Sequence, residues 1–450
     1  MAANINVAVN DSDETDLATV AIPDRMRAKR NSLTMAWWGV CSALFYIFLA
    51  ATLAISFGSL NTIIGIFLSA ISFGIINQIL SRYAIKTGLS VSLFSRILFG
   101  KVGSSLATLI FFLTAIYYAV FEGSVIAVAT NKVFPSVSYG VACFLVVAYS
   151  VPLVFGSIQN WLDKLNGILL PFYIIGIILA IVMTVNTYGY SNEWLTYVPK
   201  TGASGMGWLS VYIAYMGVYV LMMYTFDFAR FGAKNDSEFH AKISFGTPFY
   251  LMAFLVNGLV GIFLITSGKL ATISETGVVD QLILVLGEVL GLLFILITQT
   301  RINSANFYLA TVNMQAFFEK IFGFHLKKWM WAIVVGIVVF AMMSTTDIFT
   351  SILTALNYQG IFVTAWVGIA LTHILSKKYD VLLNGKLPYH LNEIPNFNPA
   401  GLIAWFTGVV AGLISTSIGF AYSPIVTFTT SIIVYLGMLS IAKREWYTTT

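Results

Sequence analysis

The polar stretch TQTRINSAN, residues 298–306, combines amides, hydroxyl groups and one guanidinium within an otherwise apolar segment. Between Asp280 and Glu319, the only charged residues are Glu288 and Arg301. A charge at bilayer depth costs roughly 2.5 to 3.5 kcal/mol on the insertion scale, so such a residue normally faces a cavity or a partner. The stretch therefore predicts a binding or coupling site inside a membrane. Alternatively, the helix is long and shifted, and Arg301 snorkels to an interface.

The composition indicates an integral membrane protein. Apolar residues make up 58% of the chain and charged residues 10%, and the mean hydropathy is +0.86. So few charges cannot cover a surface that faces water. Cys41 and Cys143 both lie in apolar segments, and the four histidines lack metal-ligand spacing, so we expect no disulfide, metal or cofactor. The net charge of +5 comes from loops and indicates orientation rather than nucleic-acid binding.

Apolar segments long enough to cross a bilayer recur along the chain. A spanning helix needs about 20 apolar residues. This criterion predicts twelve spans, numbered here one to twelve, at 34–57, 60–80, 104–132, 137–156, 165–187, 206–228, 243–268, 281–316, 328–345, 349–375, 400–420 and 424–442. Residues 1–30 are predicted to form a disordered cytoplasmic tail, because they are polar and acidic and lack an apolar signal core. Residues 31–445 then form a single all-α, polytopic membrane domain of twelve helices.

The distribution of lysine and arginine predicts the orientation of these spans. Basic residues concentrate in the N-terminal segment, the even-numbered loops and the C-terminal segment, whereas the odd-numbered loops carry only Lys132, Lys200 and Lys269. Because basic loops stay on the cytoplasmic side, both termini are predicted to be cytoplasmic. We expect a multi-pass protein of the cell membrane.

Span three carries a second candidate site. Tyr118 and Glu122 lie four residues apart, which places them on one face of a helix. An aromatic ring next to an intramembrane carboxyl group can stack on a flat solute while the carboxyl group exchanges a proton or a hydrogen bond. The alternatives are that Tyr118 fills the protein interior and that Glu122 reaches the outer interface near Lys132.

Span six contains Gly217 in an aromatic segment. Glycine weakens a helix by about 1 kcal/mol relative to alanine. The position therefore predicts either a helix break whose freed backbone groups line a cavity or a site where two helices pack closely. In span ten, Asn357, Tyr358 and Gln359 either reach the same cavity or form hydrogen bonds between helices.

Three motifs resemble the cytosine/purine permease family of nucleobase:cation symporters. They are KTGLSVSLFSRILFGKVGSS at 86–105, TFDFARFG at 225–232 and SAN at 304–306. With the number and spacing of the spans, the resemblance covers about residues 30–442. It implies a leucine-transporter-like fold, a 5+5 inverted repeat in which spans one and six are broken and spans eleven and twelve are peripheral.

The resemblance also implies site residues. It assigns substrate stacking to Tyr118, substrate binding to Asn306 or Asn303, and the break of span six to Gly217, Val218 and Tyr219. The break of span one is expected within residues 43–46.

The chain departs from the family pattern at three positions. The usual glutamine of span three is Ala115, the aromatic residue of span six is Val218, and the span-eight threonine associated with sodium is Arg301. A guanidinium is always charged and carries five donors, so we expect Arg301 to take the place of a sodium ion. Its expected acceptors are Thr300 and the carbonyl groups near the first break. Glu122 is the expected proton-linked partner.

Together these features predict a secondary active transporter for a nucleobase or related flat heterocycle, such as cytosine, a purine, a hydantoin or allantoin. We expect it to be independent of sodium, with the proton as the candidate coupling ion. The alternatives are an uncoupled facilitator or exchanger of the same fold and a membrane receptor without turnover. We expect no enzymatic activity, because the sequence shows no nucleophile–base, metalloprotease or nucleotide motif. The sequence leaves the oligomeric state open.

Overall fold

The computed structural model describes residues 21–200, 202, 205–267, 276–376, 382 and 392–449, and it describes side chains throughout these ranges except at 156–169. The regular secondary structure of the described residues is helical, and an isolated parallel bridge joins Ala28 to Gly232. Residues 1–20, most of the predicted tail, lie outside the described residues.

Helices are found at all twelve predicted positions. In chain order they are Arg30–Ser42 with Phe45–Phe57, Ser59–Thr87, Ser105–Val133, Tyr139–Val154, Gly156–Tyr188, Gly207–Met216 with Val220–Ala229, Lys234–Ser267, Gly277–Leu286 with Glu288–Phe322, Lys328–Thr345, Ile352–Ser376, Pro399–Ser417 and Ser423–Ser440. By length and composition, eight helices of the described chain could each cross a membrane, or ten if each bent pair is one span. The other two positions are span four, which is short, and span eight, which carries the polar stretch.

Spans one and six are broken at the predicted places. Span one bends by 40° between Ser42 and Phe45, and span six bends by 44° between Met216 and Val220. The residues at each bend lose part of the regular helical hydrogen bonding. In an apolar layer the freed backbone groups must find other partners within the protein.

Span eight differs from its prediction as a continuous helix over 281–316. The chain divides at Gly287, whose φ of 81° suits a residue without a Cβ. Glu288 therefore lies exposed in the first turn of the helix Glu288–Phe322, where the N-terminal end of the helix dipole favours a carboxylate. Of the two charges noted in this segment, only Arg301 lies in the middle of a helix.

Both ends of the described chain lie on one face, as an even number of spans requires. The backbone N–H of Ile22 donates to the carbonyl of Gly88, immediately before the helix Val91–Gly103. At the far end of that helix, the N–H of Asn398 donates to the carbonyl of Phe99. Thr449 bonds to the same C-terminal segment, at Glu393. We call this side of the molecule the terminal face.

The side chain of Arg27 anchors the N-terminal segment to this face. Its side chain is 6% exposed. Its Nη1 donates to the carbonyl groups of Ile85, Arg230 and Gly232 at 2.8, 2.9 and 2.8 Å. Residues 21–30, predicted as the end of a disordered tail, are therefore docked. The correction arises because carbonyl groups at the ends of spans two and six need a donor that only the folded chain brings to them.

Ion pairs flank this anchor. Arg30 pairs with Asp236, and Lys234 approaches Asp24 at 2.9 Å. The hydrogen bond from Lys234 lowers the pKa of the Asp24 carboxyl group, so the pair stays charged at neutral pH. Exposed pairs of this kind contribute little each, typically below about 1 kcal/mol. The buried Arg27 therefore dominates the docking.

We predict that Arg27→Ala releases the N-terminal segment, because it leaves three carbonyl groups without their donor. Each such loss costs roughly 1 to 3 kcal/mol. The amide of Ala28 should then exchange its hydrogen at least tenfold faster, as measured by hydrogen–deuterium exchange in lipid nanodiscs. Arg25→Ala is the matched control, since Arg25 is exposed on the same segment. Equal exchange in both variants would contradict the anchoring role.

Candidate substrate site

The two broken spans face a cavity of about 120 Å³. Spans one, three, six and eight supply its wall, which consists of Trp37, Val40, Ala43, Phe45, Tyr46, Tyr118, Glu122, Val218, Leu221, Tyr224, Phe228, Ile302, Ala305, Asn306 and Leu309. Most of these side chains are aromatic or aliphatic, and Glu122 and Asn306 bring a carboxyl group and an amide. Four of the predicted site residues thus share one cavity: Tyr118, Glu122, Val218 and Asn306.

Tyr118 presents its ring to this cavity from span three. Its ring centroid lies 5.0 Å from that of Phe45 in an edge-to-face arrangement, and 5.4 Å from that of Tyr117. Phe45 begins the second half of span one, so the ring packs directly beside the first break. The side chain does fill interior space, as the alternative interpretation held, and it also lines the cavity.

Glu122 is fully buried in the same wall. Among the described residues, neither of its carboxyl oxygens has a hydrogen-bond partner. It does not reach the interface near Lys132, because it is fully buried against the cavity, and Lys132 pairs with Asp280. An ionised carboxylate without a partner is costly at such a place. We therefore expect Glu122 either to hold a proton or to meet a polar ligand.

The two asparagines of span eight have different surroundings. Asn306 lies in the wall, and its buried Nδ2 has no hydrogen-bond partner among the described residues. Asn303 is outside the wall, and its Nδ2 lies 3.5 Å from Oγ of Ser150 in span four. The geometry therefore favours Asn306 as the residue that meets a ligand.

Of the break residues of span six, Val218 lines the cavity. Tyr219 turns its ring to Phe73, at a centroid distance of 4.8 Å, and away from the wall. A Cβ added at Gly217 would overlap the backbone of Leu356 in span ten. The interpretation of Gly217 as a site of close helix packing is confirmed, whereas the interpretation that its freed backbone groups line the cavity stays a prediction.

Gln359 of span ten ties this break to span three. Its Nε2 donates to the carbonyl of Gly217 at 2.7 Å and to Oη of Tyr118 at 3.0 Å. Asn357 instead bonds to Thr416 at 3.2 Å. The polar residues of span ten were expected either to reach the cavity or to form hydrogen bonds between helices. Gln359 forms hydrogen bonds between helices. The polar run in the apolar span ten was the only sign of these hydrogen bonds in the sequence.

Arg301 reaches the break of span one. Its Nη1 donates to the carbonyl of Gly39 at 2.5 Å and to Oγ of Ser42 at 3.0 Å. A Cβ at Gly39 would overlap the guanidinium, so a larger residue there would displace Arg301 from its present position. Arg301 therefore points into the protein and does not snorkel to an interface. Thr300, an expected acceptor for Arg301, bonds instead to the hydroxyl of Tyr149 at 2.9 Å.

Two further side chains form hydrogen bonds with backbone groups of the same break. Neither was identified individually from the sequence. Oε1 of Gln299 accepts from the backbone N–H of Leu44 at 3.3 Å. Asn257 of span seven donates to the carbonyl of Cys41 at 2.8 Å. Gln299 belongs to the polar stretch of span eight, which was singled out as a whole, whereas Asn257 is a single amide in an apolar span and carried no comparable signal.

Phenylalanine rings close the cavity on the side away from the terminal face. Phe45 in the wall packs edge-on against Phe121, at 5.2 Å between centroids. Phe121 in turn lies 5.5 Å from both Phe48 and Phe349. Phe349 also lines a second pocket of about 350 Å³, which includes Asp347. Phe121 therefore contacts a ring in the wall of each pocket.

No protein-family model and no curated protein sequence matches the chain. Its fold does match solved structures of transporters. It aligns with the inward-facing conformation of Mhp1 at a TM-score of 0.75 and 14% identity, covering 97% of this chain and 95% of that one. It aligns with the closed, bromovinylhydantoin-bound conformation of Mhp1, described as a nucleobase-cation-symport-1 family transporter, at a TM-score of 0.72 and 14% identity, covering 94% and 95%. A variant of the Eremococcus coleocola manganese transporter aligns at a TM-score of 0.52 and 14% identity, covering 95% and 97%.

At this level of identity, the similarity shows the fold. The chain is an all-helical polytopic membrane protein with a leucine-transporter-like fold. The predicted fold class is confirmed.

Proposed function

We propose that the protein is a secondary active transporter, a permease for a nucleobase or a related flat heterocycle such as cytosine, a purine, a hydantoin or allantoin. The observation that carries the proposal is the cavity between the breaks of spans one and six, with the ring of Tyr118, the amide of Asn306 and the carboxyl group of Glu122 in one wall. The fold it shares with Mhp1, one of whose structures holds bromovinylhydantoin, supports a small heterocyclic substrate.

The chemistry of the wall suits such a solute. An aromatic face stacks a heterocycle for roughly 1 to 3 kcal/mol. The buried Nδ2 of Asn306 offers a donor, and the carboxyl group of Glu122 offers an acceptor when ionised or a donor when protonated. A flat ring with polar edges satisfies all three groups at once. In this proposal Gly217, Val218 and Tyr219 contribute the irregular backbone on the opposite side of the substrate.

We propose that transport does not use sodium. The resemblance associates position 301 with sodium binding, and there the guanidinium of Arg301 donates to the carbonyl of Gly39 and the hydroxyl of Ser42. Both oxygens are of the kind that would coordinate the ion. A sodium ion would meet a fixed positive charge and occupied oxygens, so these residues do not fit one. Arg301 would itself provide the charge that holds span eight to the break of span one.

Glu122 is the candidate for proton coupling in this proposal. It is buried in the cavity wall without a partner, and it forms no hydrogen bond with Arg301 among the described residues. A carboxyl group that is protonated without substrate and ionised when it meets a substrate N–H would release its proton as substrate binds, so proton and substrate would move in opposite directions. The alternatives are an uncoupled facilitator or exchanger, in which Glu122 only shapes the site, and a receptor without turnover.

We propose the cell membrane as its location, with both termini in the cytoplasm. The asymmetry of lysine and arginine between odd and even loops supports this orientation. The terminal face, including the anchor at Arg27, would then be cytoplasmic.

The function can be tested by a thermal-shift screen of the purified protein against nucleobases, hydantoins and pyrimidine precursors, followed by uptake into proteoliposomes. A ligand that binds only the folded state raises the apparent stability by mass action. Saturable accumulation or exchange of a hit would support a transporter. Saturable binding without either would favour the receptor, and no stabilisation by any of these compounds would count against the proposal.

We predict that Tyr118→Ala weakens binding of the screened hit by roughly 1 to 3 kcal/mol, because the stacking face is lost. Tyr118→Phe should retain this stacking contribution, since its ring has the same face. Isothermal titration calorimetry of both variants makes the comparison. Unchanged affinity in Tyr118→Ala would remove the tyrosine from the site.

We predict that Asn306→Ala weakens binding more than Asn303→Ala does. Asn306 loses a hydrogen bond to the ligand, worth roughly 1 kcal/mol, whereas Asn303 contacts Ser150 outside the wall. The two variants control for each other, because both shorten an amide of the same helix. The opposite ranking would reassign the binding amide to Asn303.

We predict that the initial rate of uptake is the same with choline as with sodium, because Arg301 occupies the place of the ion. Radiolabelled uptake into proteoliposomes measures this rate. Strict dependence on sodium would contradict the proposed role of Arg301. A proton ionophore should abolish accumulation if Glu122 couples protons, whereas uptake indifferent to both changes would indicate an uncoupled carrier.

A further inference from the structure

The hydrogen bonds of Gln359 fix the orientation of its amide. The carbonyl oxygen of Gly217 has no hydrogen to donate, so it must face the NH₂ group of Gln359 and not the amide oxygen. The observed partner is Nε2 at 2.7 Å.

The orientation of Gln359 in turn fixes the role of the Tyr118 hydroxyl. The same Nε2 lies 3.0 Å from Oη of Tyr118. With one Nε2 hydrogen directed to Gly217, the second is directed to Oη, which therefore accepts. An NH₂ group cannot accept in return. The hydroxyl proton of Tyr118 must point elsewhere.

That proton has no acceptor within the described protein. Gln359 is the sole hydrogen-bond partner of the Tyr118 side chain among the described residues. Tyr118 is 8% exposed and belongs to the cavity wall. A buried hydroxyl group normally uses its donor. The open space next to this residue is the cavity itself.

We infer that Gln359 is a positioning residue that makes Tyr118 a hydrogen-bond donor to the substrate. The site then selects flat heterocycles that carry a strong acceptor, such as a ring carbonyl, where they meet Tyr118. This inference rests on the proposed function. It adds to ring stacking the requirement that the substrate present a hydrogen-bond acceptor toward the Tyr118 hydroxyl. Gln359 acts at a distance from the substrate, through the hydroxyl group that it orients.

Matched oxo and thio heterocycles test the inference, because sulfur is a weaker acceptor than oxygen at the same ring position. The probes are uracil with 4-thiouracil, hypoxanthine with 6-mercaptopurine, and hydantoin with 2-thiohydantoin. The measured quantity is the ratio of dissociation constants, thio over oxo, for each pair whose oxo member the wild type binds. The larger size of sulfur affects wild type and variants alike, so it cancels when their ratios are compared.

For at least one pair, Tyr118→Phe should lower this ratio by roughly fivefold, the value of one neutral hydrogen bond. Gln359→Glu should lower it similarly, because a carboxylate accepts the Tyr118 proton and withdraws it from the substrate. Gln359→Leu should lower the ratio by less than Tyr118→Phe does. The double variant that combines Gln359→Leu with Tyr118→Phe should have the same ratio as Tyr118→Phe alone. Asn357→Asp is the matched control, since it makes the analogous amide-to-acid change at a residue that bonds to Thr416; its ratio should equal that of the wild type.

An unchanged ratio in Tyr118→Phe for every bound pair would overturn the inference. So would a reduced ratio in Tyr118→Phe with an unchanged ratio in Gln359→Leu, because Tyr118 would then act without Gln359. If Gln359→Glu fails to fold, the other two variants still decide. If the wild type binds no oxo member and no compound of the thermal-shift screen, the proposed function and this inference fail together, whereas binding with unaltered ratios overturns the inference and leaves the proposed function in place.

Discussion

The structure depends on satisfying the backbone groups that the two helix breaks release inside an apolar layer. An unpaired N–H or carbonyl group costs several kcal/mol there, because no water is available to replace the lost partner. At the break of span one, the carbonyls of Gly39 and Cys41 and the N–H of Leu44 are each bonded to a side chain of another span. Arg301 donates to Gly39, Asn257 donates to Cys41, and Gln299 accepts from Leu44. The break persists because the fold brings these side chains to it.

The same solution recurs at span six with a different donor. There the carbonyl of Gly217 accepts from Gln359 of span ten. The two donors differ in charge: Arg301 adds a fixed positive charge at the first break, and Gln359 is neutral at the second. Because Gln359 also reaches Tyr118, the second break is tied directly to the aromatic wall of the cavity. We expect displacement of either break to disturb the site, since the hydrogen bonds that hold the breaks also orient its residues.

Close packing makes these hydrogen bonds possible. A Cβ at Gly39 would overlap the guanidinium of Arg301, and a Cβ at Gly217 would overlap the backbone of Leu356. Neither glycine has a positive φ, so glycine provides space at these positions rather than a special backbone conformation. Glycine at these positions brings a carbonyl group within reach of a side chain from another span.

The sequence by itself determined the helical architecture, because the thickness of a bilayer sets the length of a spanning helix, and apolar segments of that length can be counted along the chain. It also located the polar stretch around Arg301 and a candidate break at Gly217, since polar residues and glycine are conspicuous in apolar helices, whereas the break of span one was expected only from the family resemblance. The tertiary structure decided the partners. The directions in which Asn303 and Asn306 point depend on how span eight packs against spans three and four, and the division at Gly287 depends on a local backbone angle that hydropathy does not contain. Gln359 acquired its role only because spans three, six and ten meet at one point, a contact between residues far apart in the chain that no local pattern encodes.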